Sequence, residues 1–226
     1  MAERITFKTL DEVTIVGDWV TAPTTVGAVI LLHTMQLNRS SWAAFQAVLA
    51  KAGLASLAID LRGHGESIEG PEGASLDFRN FTDDAQGTTL YDVMGAYEWI
   101  ARRGIDPERV MLAGASIGAN LAVRMLAEEP RIRGAVLLSP GKNYHGLNAV
   151  TDVESILPHQ SLWMAASEGD DQEAFESTKE VYAKAPSELK TFEPLKNAGH
   201  GTNIFSARAD LMTAACTFLK NIAQRV

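Results

Sequence analysis

Short apolar runs alternate along the chain with longer stretches in which apolar residues recur at helical spacing. The runs are continuous or β-branched, which is typical of strands buried on both faces. Strands that alternate with amphipathic helices predict a mostly parallel sheet with helices on both faces. The predicted strands are Ile5–Thr9, Val13–Val20, Ala28–His33, Leu54–Asp60, Val110–Ala113, Ala135–Ser139, Leu162–Ala166 and Leu189–Leu195. The predicted helices are Ser41–Ala52, Asp84–Arg102, Ile117–Glu128, Gln172–Lys184 and Asn203–Gln224.

The first two predicted strands are an exception to the parallel pattern. Only Leu10, Asp11 and Glu12 separate them, and a parallel crossover needs far more residues. They are therefore predicted to form an antiparallel hairpin at one edge of an eight-stranded sheet. No repeat or linker divides the chain, so one domain is expected over residues 1–226.

Composition and charge limit the function. A chain of 226 residues with 46% hydrophobic residues can form one sizeable core. Its net charge of −8 disfavours binding to nucleic acid or to an acidic membrane surface. Cys216 is the single cysteine, which excludes an internal disulfide and predicts a core residue. The N-terminus has no signal-peptide pattern, so a cytoplasmic location is expected, while the oligomeric state is left open.

The strongest functional signal is the sequence Gly114-Ala115-Ser116-Ile117-Gly118 between a predicted strand and a predicted helix. A nucleophilic serine projects from a sharp strand-to-helix turn, and glycines two residues away on either side relieve the crowding there. The N-terminus of the following helix favours negative charge on the reacting oxygen. Ser116 is therefore the predicted nucleophile.

A serine nucleophile needs a histidine base and an acid that orients the histidine. In the chain order serine, acid, histidine, only His200 follows the candidate acids. Asp170 is the preferred acid because Asp171 could cap the next helix, and Glu168 is the third choice.

The negative charge that develops on the substrate also needs donors. The backbone amide of Ile117 is one predicted oxyanion donor, and an amide after the third strand is the other. Met35 is modestly preferred over Thr34 for that second donor. No metal-ligand spacing is present around His145 or His159, and no metal or cofactor is predicted.

Four segments of the chain resemble motifs of the α/β-hydrolase superfamily of serine hydrolases, near the small capless esterases and the dienelactone-hydrolase-like proteins. The similar segments are LLHTMQLNRSSW, AIDLRGHGES, LAGASIGANLA and NAGHGT, and the resemblance covers nearly the whole chain. It implies a triad of Ser116, Asp170 and His200, with Met35 and Ile117 as amide donors. It also implies a structural role for the turn that contains Asp60, Arg62 and His64. The chain departs from the family pattern in having Thr34 where glycine is usual, and it carries Ser116 where dienelactone hydrolases use cysteine.

The expected function is a carboxylesterase that cleaves small or short-acyl esters. The loop 140–160 is too short for an independent lid, and its residues Tyr144, Leu147, Val150 and Ile156 are expected to line an apolar pocket with Leu76–Phe81. Two alternatives use the same fold. One is a thioesterase or aminopeptidase-type amidase with the same triad, and the other is a non-catalytic binding protein.

Overall fold

The computed structural model describes residues 2–225, which contain one eight-stranded sheet. The strands are β1 (Glu3–Lys8), β2 (Thr14–Val20), β3 (Gly27–Leu32), β4 (Leu54–Ile59), β5 (Val110–Ala115), β6 (Gly134–Leu138), β7 (Ser161–Ser167) and β8 (Lys190–Leu195). Their spatial order is β1-β2-β4-β3-β5-β6-β7-β8. The pairs β1–β2 and β2–β4 are antiparallel, and the other pairs are parallel. This confirms the predicted sheet and its N-terminal hairpin.

The helices cover both faces of the sheet. They are α1 (Ala43–Ala52), α2 (Asp83–Gly87), α3 (Leu90–Arg102), α4 (Ile117–Glu128), α5 (Ala149–Asp152), α6 (Gln172–Lys184), α7 (Asn203–Ala207) and α8 (Ala209–Ala223). Within residues 2–225, no helix combines the length and apolar character needed to cross a membrane.

Two predicted helices are each divided in the structure. The stretch predicted as one helix from Asp84 to Arg102 breaks between α2 and α3, where the hydroxyls of Thr88 and Thr89 donate to the carbonyls of Ala85 and Gln86. Side-chain bonds of this kind compete with helix continuation. The predicted C-terminal helix breaks between α7 and α8 at Arg208, whose φ of −135° and ψ of 77° are not helical. In both cases the amphipathic pattern continues across the break, so periodicity alone did not reveal it.

Each face of the sheet has its own hydrophobic cluster. One cluster includes residues of α3, α4 and the loop that follows β6, among them Val93, Leu121 and Leu147. The other includes residues of α1 and α8, among them Leu49 and Cys216. Cys216 is 3% exposed, so it lies in the core as predicted. The sheet is therefore buried on both faces. Because β3 to β8 run parallel, their carboxyl ends lie along one edge of the sheet.

Candidate active site

Ser116 lies in a strained turn between β5 and α4. Its φ of 56° and ψ of −121° fall where residues other than glycine rarely occur. A Cβ on Gly114 would lie 2.1 Å from the carbonyl oxygen of Gly118, and a Cβ on Gly118 would lie 2.3 Å from that of Leu32. Both glycines are therefore required by the turn. The Ser116 backbone is held by its amide, which donates to Leu138 O at 2.8 Å.

His200 is bonded to Asp171, which corrects the prediction of Asp170. His200 Nδ1 donates to Asp171 Oδ2 at 2.6 Å, and the Asp171 side chain is 13% exposed. With the proton on Nδ1, Nε2 of the neutral ring is left as an acceptor. The reasoning from sequence assigned Asp171 to a helix cap. Asp171 does occupy the N-cap position of α6, but its side chain makes no capping hydrogen bond there.

Asp170 instead holds the loop that carries His200. Its carboxylate accepts hydrogen bonds from the Ser167 hydroxyl and from the amide of Gly199, the latter at 2.6 Å. The Ser167 oxygen in turn accepts from the amide of Ala198 at 2.8 Å. The donors lower the pKa of the Asp170 carboxyl, the Ser167 bond most of all. Asp170 thus links the end of β7 to the histidine loop through hydrogen bonds.

The histidine loop packs against the serine turn. A Cβ on Gly201 would lie 2.6 Å from Thr34 Cγ2 and 3.4 Å from Ala115 Cβ. The Gly201 amide donates to Ser139 Oγ at 3.1 Å. These contacts bring the neighbour of His200 against the neighbour of Ser116. Thr34, which replaces the usual glycine, is 7% exposed and directs its methyl group at Gly201.

The two predicted amide donors, Ile117 and Met35, follow strands β5 and β3. Ile117 is the first residue of α4, and amides in a first helical turn have no intrahelical acceptor. In the described part of the chain, the Met35 amide donates to no other residue. The Met35 carbonyl lies 2.9 Å from His64 Nε2, and His64 Nδ1 lies 3.0 Å from Arg62 O. His64 therefore connects the loop after β3 to the loop after β4.

The turn after β4 is structural, in agreement with what the resemblance implies. Asp60 is completely buried, and its carboxylate accepts from the Arg39 and Glu66 amides at 2.8 Å. Arg62 Nε donates to the buried carboxylate of Asp92 at 2.8 Å. No group of three or more His, Cys, Asp or Glu in residues 2–225 is arranged to hold a metal ion.

The pocket wall predicted from the loop 140–160 is largely wrong. Leu147, Val150 and Ile156 are at most 3% exposed and belong to the core cluster beside α4. The half-buried Tyr144 remains at the site. Its ring centroid lies 6.4 Å from that of His200, and its side chain lies beside that of Ser116. The reasoning from sequence named Tyr144 only as an apolar wall.

Leu76–Phe81 contributes to a groove near the loop after β3. The groove has a volume of about 420 Å³, and its walls include Leu76, Phe78, Leu37 and His64. The ring of Phe78 stacks on that of His64 with the centroids 3.9 Å apart. This part of the predicted wall therefore lies beside the Met35 loop.

The eight-stranded sheet and the serine turn after β5 define the class, and the protein is an α/β hydrolase. Residues 23–157, more than half of the chain, match the family described as serine aminopeptidase, S33. The chain belongs to this family.

Comparisons with individual proteins agree with this class. The chain is 33% identical over 69 residues to the carboxylesterase/phospholipase LipF of Mycobacterium tuberculosis, a match that covers 29% of this chain and 18% of that relative. The esterase Pf2001 of Pyrococcus furiosus superposes with a TM-score of 0.79 at 20% identity, covering 98% of this chain and 92% of the other. The α/β hydrolase GrgF of Penicillium sp. sh18 gives a TM-score of 0.82 at 16% identity over 99% of both chains. At these identities the two structures show a common fold.

Proposed function

We propose that the protein hydrolyses small or short-acyl esters through Ser116, His200 and Asp171. The observation that carries the proposal is the 2.6 Å bond from His200 Nδ1 to Asp171, in a loop packed against the turn of Ser116. The bond fixes the tautomer in which Nε2 can accept a proton from the serine hydroxyl. The esterase names of LipF and Pf2001 support the choice of ester substrates.

The reaction follows from these groups. Nε2 of His200 accepts the Ser116 proton as Oγ bonds to the ester carbonyl carbon, and the oxyanion accepts hydrogen bonds from the amides of Met35 and Ile117. The carbon–oxygen bond of the leaving alcohol then breaks, and His200 returns the proton to that oxygen. Water, activated by His200, attacks the acyl-enzyme and releases the carboxylic acid and free Ser116.

The preference for short acyl groups rests on the packing of the loop after β6. Since Leu147, Val150 and Ile156 are in the core, they offer no apolar surface to a long chain. Extra methylenes of a substrate would stay in water and contribute no binding energy. We therefore expect acetyl to hexanoyl esters to be cleaved with higher kcat/KM than dodecanoyl esters. A steady rise of kcat/KM with chain length would contradict this.

Ser116→Ala tests the proposal, with the exposed Ser206→Ala as its control. Loss of a triad serine lowers turnover by roughly 10⁶-fold, so p-nitrophenyl butyrate hydrolysis should disappear in Ser116→Ala and persist in the control. A fluorophosphonate should add mass to the Ser116 peptide. Hydrolysis or labelling that survives Ser116→Ala, or a label on Cys216, would contradict the proposal.

The family description favours one second candidate, an aminopeptidase-type amidase. Ester and amide cleavage use the same nucleophile, and the difference lies in how well the leaving nitrogen is protonated. Assays with an aminoacyl p-nitroanilide and an acyl thioester, beside the butyrate ester, would distinguish an amidase, a thioesterase and an esterase. A kcat/KM for the anilide above that for the ester would replace the esterase proposal.

A further inference from the structure

We infer that Tyr144 is a further catalytic residue, whose hydroxyl donates a hydrogen bond to the leaving-group oxygen of the substrate. The inference rests on the proposed function and names a part of its machinery. Two contacts carry it: the Tyr144 ring stands edge-on to the His200 ring with the centroids 6.4 Å apart, and the Tyr144 side chain lies beside that of Ser116.

The Tyr144 loop is fixed by the helix that begins at the serine. Asn120 is fully buried in α4, and its Nδ2 donates to the carbonyls of Gly141 at 2.9 Å and Leu147 at 2.7 Å. Its Oδ1 accepts from the Gly141 amide at 2.9 Å. Tyr144 and Leu147 also exchange backbone hydrogen bonds at 2.9 and 3.1 Å. These bonds hold the position of Tyr144 relative to Ser116.

The Tyr144 ring is packed against Gly141. A Cβ on Gly141 would lie 2.3 Å from Tyr144 Cζ, so residue 141 must be glycine while the ring stays in place. A ring fixed in this way loses little entropy when it binds substrate.

The sheet order places Tyr144 on the leaving-group side. Met35 follows β3 and Tyr144 lies in the loop after β6, and these strands flank β5 on opposite sides. The oxyanion is held on the β3 side. The leaving oxygen must face His200, which supplies its proton, and Tyr144 lies next to His200.

Tyr144 acts as a donor and keeps its proton. Burial, followed by the charge of Asp171, raises the pKa of Tyr144 to about 12. The phenol is therefore neutral at physiological pH. As the carbon–oxygen bond breaks, it would stabilise negative charge on the leaving oxygen until His200 delivers the proton.

The test compares two butyrate esters in wild type, Tyr144→Phe and Tyr182→Phe. Phenylalanine preserves the ring packing at 144, and Tyr182 is an exposed tyrosine on α6 that contacts Phe192. An ethoxide leaving group needs stabilisation, whereas p-nitrophenolate spreads its own charge. In Tyr144→Phe we expect kcat/KM to fall about 10²-fold for ethyl butyrate and less than about threefold for p-nitrophenyl butyrate. Tyr182→Phe should match wild type for both.

A second variant displaces the ring without changing it. Gly141→Ala should push Tyr144 aside and produce the same selective loss for the ethyl ester. An equal loss for the two esters in Tyr144→Phe would mean that the hydroxyl serves the site in general, and no loss would mean that it serves nothing. Either result, or a changed acyl-length preference, would overturn the inference. Hydrolysis that survives Ser116→Ala would instead overturn the proposed function.

Discussion

Asp170 and Asp171 are adjacent carboxylates with different partners. Asp171 accepts from the imidazole of His200, while Asp170 accepts from the Ser167 hydroxyl and the Gly199 amide. Under the proposed function, Asp171 orients His200 and Asp170 holds the histidine loop in place. Substituting each aspartate with asparagine should distinguish these roles.

We expect Asp171→Asn to lower kcat for p-nitrophenyl butyrate by about 10⁴, because an amide at this place favours the wrong histidine tautomer. Asp170→Asn should lower kcat less than about tenfold, because its amide oxygen can still accept from Gly199. Steady-state kinetics of both variants is the measurement, with circular dichroism to show that each is folded. A larger loss of kcat in Asp170→Asn than in Asp171→Asn would instead identify Asp170 as the acid that orients His200.

The buried His33 is expected to make the free energy of unfolding depend on pH. The residue is fully buried, and its Nε2 accepts from the Leu61 amide at 3.0 Å while Nδ1 lies 2.7 Å from Thr34 O. Burial, followed by the neighbouring His64, lowers the pKa of His33 from 6.5 to about 3. At a pH between these two pKa values, His33 therefore binds a proton in the unfolded chain but not in the folded protein. The stabilising contribution of neutral His33 is complete above the unfolded pKa and is lost as pH falls toward the folded one.

The free energy of unfolding should therefore fall between pH 7 and pH 5, with about 2 kcal/mol of the loss due to His33. Urea unfolding at each pH measures this change. In His33→Gln the free energy of unfolding should decrease by about that amount less. The exposed His159→Gln serves as the control and should keep the wild-type decrease. If His33→Gln keeps it too, the buried ring is not the titrating group.

At the scale of elements, the contact of α4 with the end of β3 leaves no space at Gly118. A Cβ there would lie 2.3 Å from Leu32 O and 2.7 Å from His33 O. These are backbone atoms of the segment that leads to Met35, so they cannot move without moving the loop. The distance between α4 and β3 thus sets the relative position of the Ile117 and Met35 amides.

Gly118→Ala should destabilise the protein by about 2 to 3 kcal/mol through overpacking, and it should lower kcat as well. Gly87→Ala is the matched control, because no atom lies within 4 Å of its added Cβ. Alanine there should be neutral or stabilise by up to about 1 kcal/mol. Urea unfolding measures both. A Gly118→Ala protein as stable and active as wild type would show that the contact can relax.

At the scale of the whole molecule, Arg62 joins three distant segments. Its guanidinium donates to Asp92 in α3 and, at 2.6 and 2.9 Å, to Asp11 in the first hairpin. The Asp92 side chain is completely buried, with 0% exposure. Burial raises its pKa to about 6 despite the charge of Arg62. Without Arg62 a buried carboxylate would remain with no cation beside it.

Arg62→Met should lower the free energy of unfolding by about 3 to 5 kcal/mol, because removing one partner of a buried pair strands the other. The double variant Arg62→Met/Asp92→Leu should recover much of that loss. Arg131→Met breaks a surface pair with Glu129, in which the arginine is 55% exposed, and should leave the stability close to that of the wild type. Thermal unfolding of the three variants would contradict this account if the double variant were no better than the single.

The sheet, its hairpin, the sharp turn at Ser116 and the loop of His200 could all be predicted from the amino-acid sequence. These features depend on local patterns: a run of apolar residues, a three-residue connection, and glycines on either side of one residue. Local patterns did not reveal the breaks at Thr88 and Arg208, because amphipathic spacing continues through both.

The choice between Asp170 and Asp171, and the position of Tyr144 near Ser116, depend on the packing of distant segments and could not be predicted from the sequence. Neighbouring side chains point in different directions, and their targets, His200 and the Gly199 amide, lie about thirty residues further along the chain. The place of Tyr144 depends on three bonds from Asn120, in a helix on the other side of β6 in the sequence. A sequence pattern records spacing along the chain, whereas these contacts depend on how separate elements pack together.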